Sequence, residues 1–461
     1  MQGVLLIDFG STYTKVTAVD VESECILGTS KAFTTIKTDI IEGLDRAIED
    51  LNGKLGPIEY VNKLACSSAA GGLKMITVGL VPDLTAEAAR RAALSAGAKV
   101  MGVYSYELSA KEADEIQRYK PDIILLTGGT NGGNKDVILH NSKVIAEIEG
   151  DFPVVVAGNK VAAPLAAENI KSKGKEAIVC ENVMPEFNVL NIEPAREVIR
   201  EIFLKRIVRA KGLTKVENLI QGILMPTPSA VLNAAHRLSV GYRSEKGIGD
   251  LVLVDVGGAT TDIHSIGSGH PTRTGVMLKG LPEPSAKRTV EGDLGLRYSA
   301  ASLVEAAGIN MVSKSCGLSE DEVKQYVDKL SQNPDLLPED DEKIGLVDFG
   351  LTAAAVRLAV ERHVGRIGTE YIPFGAVYIQ TGKDLTGVKS VIGTGGPVIN
   401  SINPRGVLKE ALFDATNPSL LKPQEAEFML DRKYILAAMG LLGEKYPEVA
   451  IRIMKKELEV I

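Results

Sequence analysis

Cysteine and histidine are scarce in this chain of 461 residues, and neither is arranged as in a metal or redox site. The four cysteines are scattered and form no C-x-x-C pair; they are Cys25, Cys66, Cys180 and Cys316. This spacing predicts reduced thiols that fill cores, and it argues against disulfides or a cysteine-bound iron–sulfur cluster within one chain. A cluster shared across a dimer stays open. The five histidines include no pair at helical ligand spacing, so we expect no zinc site.

Basic blocks and long apolar runs are also missing. Net charge is −7, which argues against nucleic acid as the main partner. No run approaches the roughly 18–20 apolar residues that a membrane helix needs. The N-terminus enters a strand without a basic region or cleavage site, so we expect a cytoplasmic protein without a membrane partner. With 24% charged and 45% hydrophobic residues, the chain has room for two or more cores.

The most informative stretch is 251–266, LVLVDVGGATTDIHSI. The run Leu251–Val254 predicts a buried strand, and the segment 255–261 then supplies an aspartate, two glycines and two threonines. Glycines let the backbone bend close to a ligand, while hydroxyls and free N–H groups suit phosphate oxygens. Asp255, at the end of the strand, is placed to hold a metal ion or its water. A single copy is equally compatible with a glycine turn in a β-meander.

The same order of residue types occurs once more, and a third stretch repeats only the strand and its glycine turn. Residues 4–19, VLLIDFGSTYTKVTAV, again run from an apolar strand through Asp8, glycine and hydroxyls into a second strand. Residues 391–398, VIGTGGPV, form another strand followed by a glycine turn. Two acidic hairpins far apart in one chain predict a duplicated fold with both loops facing one phosphate chain. In order, the three stretches resemble the phosphate-1, phosphate-2 and adenosine motifs of the superfamily of actin, Hsp70 chaperones and the acetate and sugar kinases.

This resemblance implies an α/β, two-lobed actin/Hsp70-like (ribonuclease H-like, duplicated) ATPase fold. Small-residue faces at 225–236 and 434–442 resemble the two connecting helices that cross at the superfamily's hinge. Hsp70 carries a water-polarising glutamate in the first of these segments, whereas Met225 or Thr227 stands there here, so fast hydrolysis is not expected. A strand–helix alternation over 86–185 predicts an additional parallel α/β insertion.

The resulting domain prediction has five segments. Residues 1–75 are the first lobe, 76–215 the insertion, 216–245 the first connecting helix, 246–430 the second lobe, and 431–461 a C-terminal connecting helix that returns to the first lobe. Within the insertion, the loop 127–134, TGGTNGGN, follows a strand. It is either a second site, for a partner or ligand, or a glycine turn that allows close helix–strand packing.

A closer resemblance extends over nearly the whole chain. The stretches IDFGSTYTK, SSAAGGLKM, PDIILLTGGTNGGN, ENVMPE, MPTPSAV, DVGGATTDIHS and KRTVEGDLGLRYSA resemble the glutamate mutase accessory family, often called MutL and unrelated to the mismatch-repair protein of that name. The resemblance implies a slow, ATP-dependent reactivating chaperone for an adenosylcobalamin-dependent mutase, such as glutamate mutase or an aminomutase. Cobalamin is expected to stay with the client. A homodimer or a small partner subunit is left open.

ATP and Mg²⁺ are the cofactors implied, with Asp8 and Asp255 as catalytic carboxylates that hold the metal through water. The expected nucleotide contacts are Gly10, Ser11, Thr12, Tyr13, Thr14, Lys15, Gly257, Gly258, Ala259, Thr260, Thr261, Gly393, Thr394, Gly395 and Gly396. Glu291 and Asp293 lie in a charged, glycine-rich stretch that is either a further nucleotide or metal contact or a helix cap. The tripeptide Asp348–Gly350 copies the N-terminal DFG but precedes an alanine-rich helical pattern, so we interpret it as a decoy. A small-molecule kinase, a metal-cluster activator and an actin-like filament are the alternatives.

Overall fold

The computed structural model describes residues 3–10, 13–34, 40–67, 73–210, 223–336, 341–373 and 375–461. They form two compact units. The first comprises Met1–Val231, Gly280–Pro282 and Gly440–Tyr446, and the second comprises Leu232–Lys279, Glu283–Met439 and Pro447–Ile461. Within the described ranges, no helix has both the length and the apolar character that crossing a bilayer requires.

The first unit begins with a hairpin-based sheet. Its first elements are β1 (Gly3–Phe9), β2 (Tyr13–Asp20), β3 (Cys25–Phe33), α1 (Ile40–Leu55) and β4 (Tyr60–Ser67). β1 pairs antiparallel with β2 and parallel with β4, and its apolar residues are buried. This central position explains why the N-terminal stretch is a continuous apolar run that ends in an aspartate.

The insertion follows as a five-stranded parallel sheet covered by helices, as predicted. Its elements are β5 (Lys74–Val78), a π-helical turn (Pro82–Ala86), α2 (Glu87–Ser95), β6 (Lys99–Tyr104), α3 (Ala110–Tyr119), β7 (Ile123–Leu126), α4 (Asp136–Glu147), β8 (Val154–Val156), α5 (Ala162–Lys171), β9 (Ala177–Val179) and α6 (Glu193–Ala210). The order is β6-β5-β7-β8-β9. Ser109 and Glu112 form a reciprocal capping box at α3, because each side chain accepts a bond from the other's backbone N–H.

The chain then returns to the first sheet through β10 (Ile223–Pro226) and continues into α7 (Thr227–Val240). The completed first sheet has the order β10-β4-β1-β2-β3. β10 lies parallel to β4, so the strand that precedes α7 ends at the same side of the sheet as β1 and β4.

The second unit has a mixed sheet, a helical layer and a smaller three-stranded sheet. Its strands are β11 (Gly241–Tyr242), β12 (Glu245–Lys246), β13 (Leu251–Val256), β14 (Thr261–Ile266), β15 (Val276–Lys279), β16 (Ala286–Glu291), β17 (Arg366–Ile372), β18 (Gly375–Thr381), β19 (Ser390–Thr394), β20 (Glu427–Leu430) and β21 (Glu459–Val460). Its helices are α8 (Ala300–Ala307), α9 (Ile309–Cys316), α10 (Glu320–Gln332), α11 (Glu342–His363), α12 (Gly396–Ile399), α13 (Pro404–Lys409) and α15 (Pro447–Glu457), with α14 (Leu436–Leu442) passing into the first unit.

The two mixed sheets share one topology. The second has the order β16-β14-β13-β19-β20-β21, so β13 corresponds to β1, β14 to β2, β16 to β3, β19 to β4 and β20 to β10. In each sheet the first strand pairs antiparallel with the next strand and parallel with the fourth. The predicted duplicated, ribonuclease H-like fold of the actin/Hsp70 type, with its parallel insertion, is therefore confirmed.

Two of the points at which the chain passes between the units lie inside helices, α7 after Val231 and α14 after Met439. Within the first unit these helices touch: a Cβ added to Gly440 would lie 1.9 Å from the carbonyl oxygen of Ala230. The small faces predicted at 225–236 and 434–442 thus allow the two helix backbones to contact. Residues 447–461 belong to the second unit, whereas the sequence predicted that the C-terminal segment returns to the first lobe.

Thr85 lies inside the π-helical turn and accepts hydrogen bonds from the Leu80 and Val81 N–H groups. Near the C-terminus, β20 pairs with β19 and β21 pairs with β20, so these two strands complete the edge of the second sheet. His363, at the end of α11, is fully buried.

Candidate functional site

The two acidic hairpins have the same backbone geometry. The Gly10 N–H donates to the Tyr13 carbonyl at 3.0 Å, and the Gly257 N–H donates to the Thr260 carbonyl at 2.9 Å. Each glycine lies two residues after the acidic residue and each acceptor five residues after it. Strand register agrees, because Asp8 faces Lys15 and Asp255 faces Asp262. The predicted duplication therefore holds at the level of individual hydrogen bonds.

Asp8 lies near the end of β1, partly exposed and in contact with two other strand ends. The Thr227 hydroxyl donates to Asp8 Oδ1 at 2.6 Å, and the Cys66 thiol lies 3.5 Å from the same oxygen. Complete burial, reinforced by the Asp8 carboxylate, holds the pKa of Cys66 well above its ordinary value, so this cysteine stays a thiol. Thr227 fixes one carboxylate oxygen by a short, charge-assisted hydrogen bond.

The first loop is braced by neighbouring strands rather than left free. The Thr34 hydroxyl donates to the Gly10 carbonyl at 2.9 Å and lies 3.2 Å from the Thr14 hydroxyl. The Tyr13 ring stacks on Phe33 with ring centroids 4.7 Å apart. Ser11 and Thr12, both predicted phosphate contacts, lie outside the described residues.

The second loop is supported from below by the segment 292–298. The Gly257 and Gly258 carbonyls of the loop accept hydrogen bonds of 2.8 to 3.1 Å from backbone N–H groups of residues 296–298. A Cβ on Gly295 would lie 2.3 Å from the Ala259 carbonyl carbon, so only glycine allows this contact. The segment that sequence analysis singled out thus supports the loop from inside the unit.

Threonines at equivalent positions of the two loops point inward. Thr14 and Thr261 each lie six residues after the acidic residue and are fully buried. The Thr261 hydroxyl donates to the Leu294 carbonyl at 2.6 Å. The structure therefore places these two predicted contacts beneath the loops, whereas Thr260 is partly exposed and donates to Asp262 Oδ2 at 3.2 Å.

The adenosine loop and the second phosphate loop lie side by side within the second unit. β13 and β19 are parallel neighbours, which sets Asp255 opposite Thr394. Gly395 has a φ of +88°, and a Cβ there would lie 2.1 Å from the Val256 carbonyl oxygen and 2.8 Å from Asp255 Oδ1. Glycine is therefore required where the two loops meet. Gly393 is needed for packing instead, since a Cβ would meet Val398 at 2.7 Å.

Sequence reasoning missed three residues that complete this corner. The Tyr434 hydroxyl lies 3.2 Å, and Asn400 Nδ2 4.0 Å, from the position of a Cβ on Gly396. Burial, with the nearby Asp255 and Asp431 carboxylates, raises the pKa of Tyr434 to about 12, and Asn400 hydrogen-bonds its hydroxyl. Tyr434 has a φ of +53°, a strained conformation for an aromatic residue.

Asp431 holds this arrangement in place. Its carboxylate accepts hydrogen bonds from the Ile435 and Leu436 N–H groups at 2.8 and 3.2 Å and from the Thr394 hydroxyl at 3.2 Å. It thus ties the adenosine loop to the start of α14. The available sequence signal was an aspartate a few residues before an apolar helix.

The carboxylates of Glu291 and Asp293 both pair with an arginine of the same chain. Arg362 pairs with Glu291 at 2.7 Å and with Asp293 at 2.8 Å. The hydrogen bond from Arg362 lowers the pKa of Asp293. This ion pair accounts for both carboxylates without a ligand. The decoy interpretation of 348–350 agrees with the structure, where Asp348 lies within α11 and pairs with Arg297 at 2.7 Å.

The donor set fits a hydrated magnesium ion. Asp8 and Asp255 are partly exposed carboxylates, and Mg²⁺ retains several waters and needs only one or two carboxylates beside phosphate oxygens. Across the described ranges, no cluster of three or more histidine, cysteine or acidic side chains could hold a metal by itself. Each loop therefore offers one partly exposed carboxylate to a hydrated, phosphate-bound cation.

Comparison with known proteins shows a match to the family described as MutL protein over residues 4–458. Protein MutL of Clostridium tetanomorphum is 54% identical over 460 residues, 99% of each chain. Two solved structures align with low similarity. The activator of 2-hydroxyisocaproyl-CoA dehydratase from Clostridium difficile with bound ADPNP gives 12% identity and a TM-score of 0.32 over 100% of this chain and 99% of that one. A glycerol dehydratase reactivase gives 11% and 0.36 over 95% and 99%. TM-scores this low carry no weight for function.

Proposed function

The chain belongs to the MutL family, and from this membership and its paired acidic hairpins we propose that it is a reactivating chaperone driven by ATP. Its client is an adenosylcobalamin-dependent mutase of the glutamate mutase or aminomutase type. Nucleotide binding and slow hydrolysis change the arrangement of the protein, and this change releases damaged cofactor from the client.

The observation that carries the nucleotide assignment is the repetition of one hairpin geometry around Asp8 and Asp255. Glycine turns that follow buried strands are suited to phosphate oxygens in general, and each of these hairpins has a partly exposed carboxylate near the end of its first strand. When bound, Mg²⁺ supplies neutralisation of phosphate charge. The role of Asp8 and Asp255 is to orient the waters around that ion.

Slow hydrolysis follows from the group next to Asp8. Thr227 donates a hydrogen bond to this carboxylate, and a threonine hydroxyl is a poor general base at neutral pH. The chain is therefore proposed to turn over ATP slowly, as suits a device that must remain in one nucleotide state long enough to act on a large client.

The nucleotide assignment is tested with Asp8→Ala and Asp255→Ala. Each substitution is expected to abolish ATPase activity, because it removes a carboxylate that balances the charge of Mg²⁺. The circular dichroism spectrum should stay unchanged, because little core volume is lost. Asp45→Ala, which removes an exposed carboxylate from α1, is the matched control and should keep full activity. Unaltered turnover in both variants would overturn the assignment.

The client assignment needs a separate experiment. Purified glutamate mutase or an aminomutase, inactivated during turnover, is incubated with the protein, ATP, Mg²⁺ and fresh adenosylcobalamin. Mutase activity should recover only when ATP is present. A protein that hydrolyses ATP but restores neither mutase would contradict the client assignment and leave the ATPase assignment standing.

A further inference from the structure

Exposed apolar residues gather at one edge of the parallel sheet in the insertion. All five strands, β5–β9, run in the same direction, so the segments that follow them meet at a common edge, which we call the carboxyl edge. These segments carry Tyr106, Val161 and Phe187, which are 60%, 52% and 68% exposed, and also Val189. Tyr106 follows β6 and Phe187 follows β9, so the exposed apolar side chains are spread along the whole carboxyl edge. Aromatic side chains are enriched at protein interfaces.

The usual ligand position on this edge is crossed by contacts within the protein. The strand order puts the topological switch point between β5 and β7, where open α/β sheets bind ligands. Here the Thr127 hydroxyl donates to the Val78 carbonyl at 3.0 Å and approaches the Thr85 carbonyl at 3.2 Å. Leu80 lies 3.6 Å from the Cβ position of Gly128. Contacts within the protein therefore occupy the switch point between β5 and β7.

The loop 127–134 is held rigidly at this edge. The buried Asn159 amide donates to the Thr130 and Gly133 carbonyls at 2.7 and 3.2 Å, and the buried Asn182 amide donates to the Gly129 carbonyl at 2.9 Å. The Asn131 N–H donates to the Pro185 carbonyl at 2.9 Å, which ties the loop to the segment that carries Phe187. A preorganised surface loses little entropy when a partner binds.

One glycine of the loop has no role in the fold. Gly129 must be glycine, because its φ is +70° and a Cβ would lie 2.0 Å from the Asn134 carbonyl oxygen. Gly132 has no such φ, and nothing lies within 4 Å of a Cβ placed on it. Its lack of a side chain makes the exposed tip of the loop flat. A flat tip beside Phe187 suits close approach of another protein.

The charges around the carboxyl edge favour a basic partner. Exposed acids Asp83, Glu107, Glu181 and Glu186 outnumber the exposed lysines Lys135 and Lys160. We propose that the carboxyl edge is the docking face for the mutase client, received through an apolar patch flanked by lysine or arginine. This inference rests on the proposed function and adds to it the surface that selects the client.

The inference is tested by measuring the affinity of the full-length protein for purified holo glutamate mutase and a holo aminomutase, with ATP present. Phe187→Asp and Gly132→Trp are each expected to weaken binding to the mutase at least tenfold. ATPase activity without mutase and thermal stability should stay unchanged, since neither residue touches the nucleotide loops or the core. Raising the salt concentration should weaken wild-type binding.

Gly368→Trp is the matched control, because Gly368 in β17 also has ordinary φ and open space around a Cβ. It should bind the mutase like the wild type. If Phe187→Asp and Gly132→Trp bind the mutase as the wild type does, the carboxyl edge is not the docking face. The same conclusion follows if Gly368→Trp alone weakens binding. In both cases the client assignment stands. If the wild type binds neither mutase, the client assignment fails and the docking face falls with it.

Discussion

The Thr227 hydroxyl donates a 2.6 Å hydrogen bond to Asp8 Oδ1, although the two residues are 219 positions apart in the chain. β10 and β1 both run parallel to β4, so their carboxyl ends lie at one side of the first sheet. Thr227 is also the first residue of α7, a helix that crosses from one unit into the other. The orientation of the acidic group is therefore linked to the position of this helix.

Thr227→Val should lower the ATPase rate about 10- to 100-fold, because a hydrogen bond to a charged group is worth about 1.5–3 kcal/mol. Thr227→Ser keeps the hydroxyl and should retain most of the activity. Steady-state ATPase assays on the two variants, beside their melting temperatures, check this. Equal rates for valine and serine would show that the bond to Asp8 does not contribute to turnover.

Tyr434→Phe removes the hydroxyl that lies against Gly396 and bonds to Asn400. We expect weaker nucleotide binding by about 1 kcal/mol, the net value of one hydrogen bond, and little change in stability, because the ring remains. Binding of a fluorescent ATP analogue measures the effect. Tyr378→Phe changes a tyrosine of β18 in the same unit and should leave the affinity alone; a drop there as large as in Tyr434→Phe would remove the special role of Tyr434.

Gly440→Ala should destabilise the protein by several kcal/mol, because the new methyl group would lie 1.9 Å from the Ala230 carbonyl and would force α14 away from α7. Gly53→Ala is the matched control, since Gly53 also lies in a helix and has nothing within 4 Å of a Cβ. That variant should be more stable by about 0.5–1 kcal/mol. Urea unfolding of both variants tests the contact, and equal stability would contradict it.

Acid should destabilise the protein partly through His363. The ring is fully buried between the Thr289 and Ser265 hydroxyls, at 2.8 and 2.7 Å, and burial lowers its pKa well below the usual value. A depressed folded-state pKa gives stability that is present above the unfolded value of about 6.5 and is lost as pH falls toward the folded value. Between pH 6.5 and 5, His363→Gln should lose about 2 kcal/mol less stability than the wild type.

Chemical denaturation at pH 7 and pH 5 measures this difference. His140→Gln, at an exposed histidine of α4, is the control and should retain the acid sensitivity of the wild type. If His363→Gln and the wild type lose stability in parallel, protonation of His363 is not the cause.

Local sequence was sufficient for the duplicated hairpins and the parallel insertion. Apolar runs that end in Asp-x-Gly identify a buried strand and its turn without distant information, because strand burial and glycine geometry act over a few residues. A capping box such as that of Ser109 and Glu112 also depends on residues only three positions apart. The sequence also shows that Gly10 and Gly257 each lie two residues after an aspartate, Asp8 and Asp255.

Only the tertiary structure decided which side chains complete each loop. Thr227 reaches Asp8, and Tyr434 reaches Gly396, because parallel strands far apart in sequence end at the same side of a sheet. The sequence leaves Glu291 and Asp293 open as either ligand contacts or a helix cap, and the structure pairs both with Arg362 at the end of α11. Pairing over such separations depends on the global packing of strands and helices, which residue types in a short window do not specify.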